Sequence, residues 1–167
     1  MVTKPYVTSV SYTFTRPSDT TAYADEDLIA NSTTAGSVVP MSFPIGVGQG
    51  RGVKVVGMTI QKSGTTITNA TFSVRLFASS PTVANGDNGA ISHDTAGYFT
   101  EIAAPIMVGH TDDGRTFVYA GAVSGGFNAP YVYLRSVNTI YGLLKAEAAY
   151  TPGSAETFTV TLLIEQY

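Results

Sequence analysis

The chain of 167 residues contains no cysteine and no tryptophan. Without cysteine it has no disulfide framework, no thiolate metal site and no cysteine nucleophile. Charged residues make up only 13% of the chain, and the nine Lys and Arg are scattered singly in a protein of formal net charge −3. A protein that binds nucleic acid through its phosphates needs a basic stripe, so we expect no nucleic-acid partner.

Long apolar runs are also missing. No stretch approaches the ~20 apolar residues of a membrane-spanning helix, and the first ten residues, MVTKPYVTSV, lack the apolar run of a signal peptide. We therefore expect no membrane partner and synthesis in a cytoplasm without export by the general route. The length suits one domain, residues 1–167, which can bury a core without a metal or a disulfide.

What the sequence does contain is alternation of apolar and polar residues, the pattern of a β-strand with one buried face. Alternation is clear in residues 6–14, 70–78 and 157–164. In residues 52–61 it slips at Val55–Val56, which predicts a β-bulge. Residues 139–150 include strong helix formers, but their period of two favours a strand, which we expect to form an antiparallel hairpin with the C-terminal strand.

Shorter strands are expected within RTFVYAGAV (residues 115–123) and PYVYLRS (residues 130–136). Seven to nine strands joined by long turn-rich segments predict an all-β fold, an antiparallel β-sandwich of the jelly-roll type rather than an up-and-down barrel. Residues 79–99 are rich in turn formers and are expected to form a long loop. Residues 15–33 are interpreted as an extended surface arm or loop.

The arm contains the candidate protein-interface residues. Arg16 can make a bidentate contact to a carboxylate, Pro17 fixes one backbone angle, and Tyr23 offers a large, rigid contact area. The full set of candidates is Arg16, Pro17, Asp19, Tyr23, Leu28 and Ile29. The alternative is that Leu28 and Ile29 pack back onto their own sandwich and close one end of it.

Groups arranged for catalysis are not found. His93 and His110 lie far apart in sequence, without the His-x-His cluster of a cupin-type metal enzyme. NGDNG, residues 85–89, is typical of turns rather than of a calcium loop, and no Gly-x-Ser-x-Gly motif occurs. We therefore expect a protein that is not an enzyme and has no metal site and no cofactor.

Two segments resemble parts of small virion structural proteins of tailed bacteriophages. TRPSDTTAYADEDLIANS matches the form Arg-Pro-x-Asp-Thr-Thr-Ala-Tyr followed by Asp and Ala-Asn-Ser, and YGLLKAEAAYTPGSAETFTVTLLIEQY is similar to the end of the same proteins. The resemblance implies a capsid decoration or cement protein with a jelly-roll fold. It also implies that the major capsid protein of the same particle is the partner, that the chain can form a homo-oligomer, and that it lies on the outside of the virion.

Two other functions stay open at this point. A head- or tail-fibre module could bind a host surface glycan, with FVYAGAV and PYVYLRS as a stacking platform, although the lack of tryptophan and of fibre repeats argues against it. A cupin-like enzyme would need a metal held by the two histidines.

Overall fold

The computed structural model describes residues 6–46, 52–119 and 137–166. Within them the chain forms strands and one 3₁₀ turn, Ala35–Ser37. No helix in these ranges is long and apolar enough to cross a membrane. The strands are β1 (Tyr6–Thr15), β2 (Leu28–Ile29), β3 (Met41–Pro44), β4 (Val53–Lys62), β5 (Phe72–Phe77), β6 (Tyr98–Ala103), β7 (Val108–Gly109), β8 (Gly114–Tyr119), β9 (Thr139–Ala146) and β10 (Thr157–Gln166).

These strands form two antiparallel sheets. The first sheet has the order β1-β10-β4-β8-β7, and the second has the order β2-β9-β5-β6, with β3 also paired to β9. Apart from the two-residue strands β2 and β7, the pairs are nested: β1 with β10, β3 with β9, β4 with β8 and β5 with β6. This nesting is the topology of a jelly roll, in which one long hairpin is folded over into two sheets. The predicted all-β jelly-roll sandwich is confirmed.

Alternation within the strands places apolar side chains between the sheets. Every second residue of β10 is buried, from Phe158 to Ile164, and threonines occupy the other positions up to Thr161. The bulge predicted in β4 is confirmed, because Gly57 pairs with Leu163 while Val55 pairs with Ile164, which leaves Val56 as the extra residue. The bulge lets Val55 and Met58, three residues apart, both reach the core.

The prediction of a C-terminal hairpin is wrong, because β9 and β10 do not pair with each other. Residues 139–146 do form a strand, but β9 pairs with β2, β3 and β5 in the second sheet, while β10 pairs with β1 and β4 in the first. The connection from Glu147 to Glu156 crosses between the sheets. Both strands bury apolar side chains in the same core, and this burial explains their alternating sequences. Alternation therefore identified the two strands but not their partners.

Two other expectations concern connections. The long loop predicted at 79–99 lies between β5 and β6, and β6 begins at Tyr98 rather than after residue 99. The strand predicted in residues 115–123 is present over Gly114–Tyr119. Residues 120–123 and the predicted strand at 130–136 lie outside the described residues.

The outer faces of the two sheets differ. A second apolar cluster, formed by Leu28, Ala30, Phe77, Val83 and Leu143, lies on the outer side of the second sheet. Segments from the two long excursions, residues 16–33 and 78–97, build this cover, and hydrogen bonds such as Leu28 N to Gly89 O at 2.9 Å join them. Along β1 and β10, the outer face of the first sheet carries hydroxyls instead, including the pairs Ser11–Thr161 and Thr13–Thr159, each 2.8 Å apart.

Candidate functional site

Four of the six predicted interface residues are buried. Arg16, Tyr23, Leu28 and Ile29 are only 2%, 1%, 0% and 2% exposed, so they have almost no surface to offer a partner. Ile29 belongs to the main core and Leu28 to the second cluster, which is the alternative considered for this pair. Residues 15–33 are therefore in large part a cover of the sandwich, and deleting them would remove core side chains.

Arg16 is buried because its donors are used inside the protein. Its Nε donates to the Tyr23 hydroxyl at 2.8 Å, and its Nη2 donates to Asp19 Oδ1 at 3.0 Å and Asp87 Oδ2 at 3.1 Å. The Tyr23 hydroxyl and the Ala30 amide both donate to Asp87 Oδ1, at 2.7 and 2.8 Å. Burial raises the pKa of the Tyr23 hydroxyl, so it keeps the proton that it donates. This network, here called the Arg16 cluster, locks residues 16–30 to the turn at 85–89.

Asp87 is the member of the cluster that sequence reasoning missed. NGDNG was interpreted as turn chemistry, and the turn is present, with Asn88 at φ 61°. The Asp87 carboxylate nevertheless points into the protein, with no exposed side-chain surface. A buried guanidinium needs a counter-charge, so burial of Arg16 beside Tyr23 implies a nearby carboxylate. Nothing in the local sequence indicates that this carboxylate is Asp87.

A second buried ion pair lies next to the Arg16 cluster. Lys62 Nζ donates to Glu156 Oε1 at 2.9 Å, and the Tyr150 hydroxyl donates to Glu156 Oε2 at 2.5 Å. The rings of Tyr150 and Tyr23 stack with centroids 6.3 Å apart. The two polar clusters thus meet through the stacked rings of Tyr23 and Tyr150.

An ionic network lies on the outer face of the second sheet. The ammonium of Lys145 is 2.6 Å from Glu26, 2.9 Å from Glu101 and 2.9 Å from Glu147. Carboxylate oxygens of Asp25, Glu26 and Glu147 lie within 4.8 Å of one another, and Lys145 supplies positive charge to two of them. The network fastens residues 25–27 to β9.

Glu101 gives this network a dependence on pH. Burial by itself would raise the pKa of its carboxyl, but hydrogen bonds from Lys145, Ser73 and Arg75 outweigh burial and lower that pKa from 4.5 to about 2. Because the folded-state pKa is lowered, the stabilisation is complete above pH 4.5 and is lost as the pH falls from 4.5 towards 2.

We expect Glu101→Gln to lower the free energy of unfolding by about 1–2 kcal/mol near neutral pH, after allowance for solvent screening of this partly exposed group. Urea unfolding of the wild type and the variant at about pH 7 and about pH 3 measures the effect. The difference between the two proteins should shrink at the lower pH. A difference of the same size at both pH values would contradict the assignment.

The two histidines lie in different parts of the sandwich. The His93 ring contacts the Phe77 ring edge-to-face at 4.8 Å, and its Nε2 is 3.1 Å from an Arg75 nitrogen. His110 follows β7 in the first sheet, where its amide donates to the Asp113 carbonyl at 2.7 Å. His93 therefore lies with the second sheet and His110 with the first.

Exposed apolar side chains concentrate at the edge of the first sheet. Ile106, Val108, Phe117 and Tyr119 are 60%, 62%, 62% and 50% exposed. The strand alternation of β8 turns Phe117 and Tyr119 outward while Val118 enters the core. These residues line a groove of about 600 Å³, here called the apolar groove, together with Pro105, His110, Arg115, Thr116 and Val118.

The backbone explains how the groove forms. Residues 104–107 cross from the second sheet to the first, held by hydrogen bonds from the Ala104 amide to the Phe72 carbonyl and from the Met107 amide to the Ala70 carbonyl. The Thr116 hydroxyl donates to the Pro105 carbonyl at 2.8 Å, which fixes the crossing segment beside β8. β7 pairs only with Gly114 and Arg115, so among the described residues the outer edge of β8 beyond Arg115 has no strand partner.

The fold and the groove define a jelly-roll β-sandwich protein with an exposed apolar edge. No known protein family matches the chain, and no curated protein matches it. One solved structure with a similar outline is the decameric BFDV capsid protein, which aligns over 98% of this chain and 99% of that chain with 10% sequence identity and a TM-score of 0.35.

Proposed function

We propose that this chain is a non-enzymatic structural protein of a bacteriophage particle, which decorates or cements the outside of the capsid shell. Its partner is the major capsid protein of that particle, and its location after synthesis in the host cytoplasm is the virion exterior. The sequence resemblance in residues 16–32 and 141–167 suggests this role. The observation that carries it on the molecule is the apolar groove, which brings four exposed apolar side chains together at one edge of the first sheet.

The groove supports docking on protein better than the predicted arm does. Its four exposed side chains offer roughly 400 Å² of apolar surface, within the ~300–600 Å² of the largest patch on a typical monomer, which is often functional. Edge strands normally carry charges that block pairing, whereas here Phe117 and Tyr119 stand beside the part of the β8 edge that has no partner among the described residues. An extended segment of the shell protein can pair with this edge and cover the groove.

The area also favours a shell over a single binding event. A stable interface between two proteins buries about 800 Å² on each partner, roughly twice what the groove offers. On a capsid lattice, several modest contacts act together because each further contact is effectively intramolecular. Pro17 and Asp19, which are partly exposed, stay candidates for such additional contacts.

A double variant, Val108→Ser with Phe117→Ser, tests the docking surface. We expect it to fold normally and to bind purified shells lacking this protein at least tenfold more weakly, because a central apolar contact contributes about 1 kcal/mol or more. Co-sedimentation with the shells measures binding. The control is Val39→Ser with Tyr98→Ser, which removes one valine and one aromatic residue of 57% and 43% exposure elsewhere. Equal binding by the two double variants would exclude the groove as the docking site.

A further inference from the structure

We propose that a polar hollow on the first sheet binds a neutral saccharide through its hydroxyl groups. The hollow has a volume of about 250 Å³ and lies where β4, β10 and the turn before β8 meet. Its polar lining includes Gln61, Ser63, Asp113, Arg115, Thr157 and Thr159. Arg115 lines both the hollow and the apolar groove, but the other lining residues differ, and this proposal does not depend on the shell-docking role.

Asp113 supplies the unpaired hydrogen-bond acceptor of the hollow. Its side chain is 5% exposed, and its Oδ2 accepts hydrogen bonds from Gln61 Nε2 at 2.7 Å and Arg115 Nε at 2.6 Å. Its Oδ1 is buried and has no hydrogen-bond partner among the described residues. Buried carboxylate oxygens are normally satisfied, so Oδ1 is the acceptor that a donor reaching it from the hollow would pair with.

The charges around the hollow select a neutral ligand. Lys62 also lines it, but the Lys62 ammonium is already paired with Glu156. The remaining charged groups of the hollow are two carboxylates and one guanidinium, from Asp112, Asp113 and Arg115. The hollow therefore has a net charge of about −1, which disfavours binding of a phosphate or a carboxylate. The Arg115 guanidinium, 2.5 Å from Asp113, disfavours a metal ion at that carboxylate.

Sugar hydroxyls fit the remaining chemistry. Each hydroxyl both donates and accepts, so one can donate to Asp113 Oδ1 while a neighbour accepts from the outward N–H groups of Arg115. The hydroxyls of Ser63 and Thr157 extend the same pattern along the rim. The volume corresponds to about eight waters at ~30 Å³ each, which suits a single sugar ring rather than a long oligosaccharide.

Nuclear magnetic resonance titration of the full chain tests this site. The probes are D-glucose, D-galactose, D-mannose and N-acetyl-D-glucosamine, each added separately, with inorganic phosphate and Ca²⁺ as alternatives. We expect saturable shifts of the Gln61, Asp113, Arg115 and Thr157 amides with at least one sugar, at the millimolar affinity of a shallow site. Absence of saturable shifts with every sugar, or saturation at these amides by phosphate or Ca²⁺ alone, would overturn the proposal.

Asp113→Asn is the decisive variant. An asparagine would turn its oxygen towards the donors of Gln61 and Arg115 and place its NH₂ where Oδ1 stands, so the free acceptor becomes a donor. We expect sugar affinity to fall at least tenfold. Thr157→Val, at the rim, should weaken it several-fold and serves if Asp113→Asn disturbs folding.

Phe117→Ser is the matched control. This substitution changes the apolar groove but not the polar lining, so sugar affinity should stay within twofold of the wild type while docking on shells is weakened. Loss of sugar binding in Phe117→Ser but not in Asp113→Asn would place the saccharide elsewhere and overturn the assignment. Docking on shells that persists in Phe117→Ser would contradict the groove as the docking surface without affecting the saccharide site. The two proposals can therefore fail separately.

Discussion

Replacing Asp87 by alanine is expected to lower the free energy of unfolding by about 3–5 kcal/mol, because it leaves the buried Arg16 guanidinium without its counter-charge. The Tyr23 hydroxyl and the Ala30 amide would lose their acceptor at the same time. Since small domains are stable by only ~5–15 kcal/mol, this variant should be close to unfolding. Urea denaturation followed by circular dichroism measures the change.

Asp19→Ala is the matched control, because Asp19 also contacts Arg16 but its side chain is 38% exposed. Its loss should cost less than about 1 kcal/mol. A second variant, Arg16→Met with Asp87→Asn, removes both charges and keeps an amide oxygen for Tyr23 and Ala30. It should be more stable than Asp87→Ala alone. If Asp87→Ala costs no more than Asp19→Ala, the Arg16 cluster does not hold the excursions in place.

Gly86→Ala is expected to destabilise the protein by about 2–3 kcal/mol, since an added Cβ would overlap backbone atoms and force the turn to shift. A Cβ at this position would lie 1.9 Å from the Thr33 carbonyl oxygen, which is backbone and cannot rotate away. The displacement would pull the turn away from residues 32–33 and shift the neighbouring Asp87. Thermal unfolding and urea denaturation both report the loss.

Gly153→Ala provides the comparison for this backbone contact. A Cβ at Gly153 meets nothing within 4 Å, so alanine there should change stability by no more than about 0.5 kcal/mol. A Gly86→Ala variant as stable as Gly153→Ala would show that the two excursions do not touch at Thr33.

The strands could be predicted because burial of one sheet face imposes a period of two on local sequence. Residues 6–14 and 157–164 show that period plainly, and even the bulge in β4 left a visible slip at Val55–Val56. Pairing was harder, because alternation says which face is buried and not which strand lies alongside. β9 and β10 were therefore expected to pair, although they belong to different sheets.

The site residues show a different limit. Residues 15–33 have the polar composition of a surface segment, and the prediction of a surface arm rests on that composition. Arg16 is nevertheless buried, because Tyr23, Asp19 and Asp87 satisfy its donors. Asp87 is the buried partner of Arg16 and lies 71 residues away in the sequence. Hydrogen bonds between such distant residues leave no periodic pattern in the sequence. Phe117 and Tyr119 could be assigned to a strand, but their exposure depends on what lies at its edge.

The position of β10 between β1 and β4 has a consequence for how the chain matures. During synthesis β1 and β4 leave the ribosome early, yet neither can pair with its shared neighbour until β10 has been made. Closing such distant pairings is slow, and exposed strand edges invite wrong partners in the meantime. In a nascent chain stalled before Thr157, β1 would lack its β10 partner and β4 would be paired only with β8. Synthesis of β10 would then join these two strands and complete the first sheet.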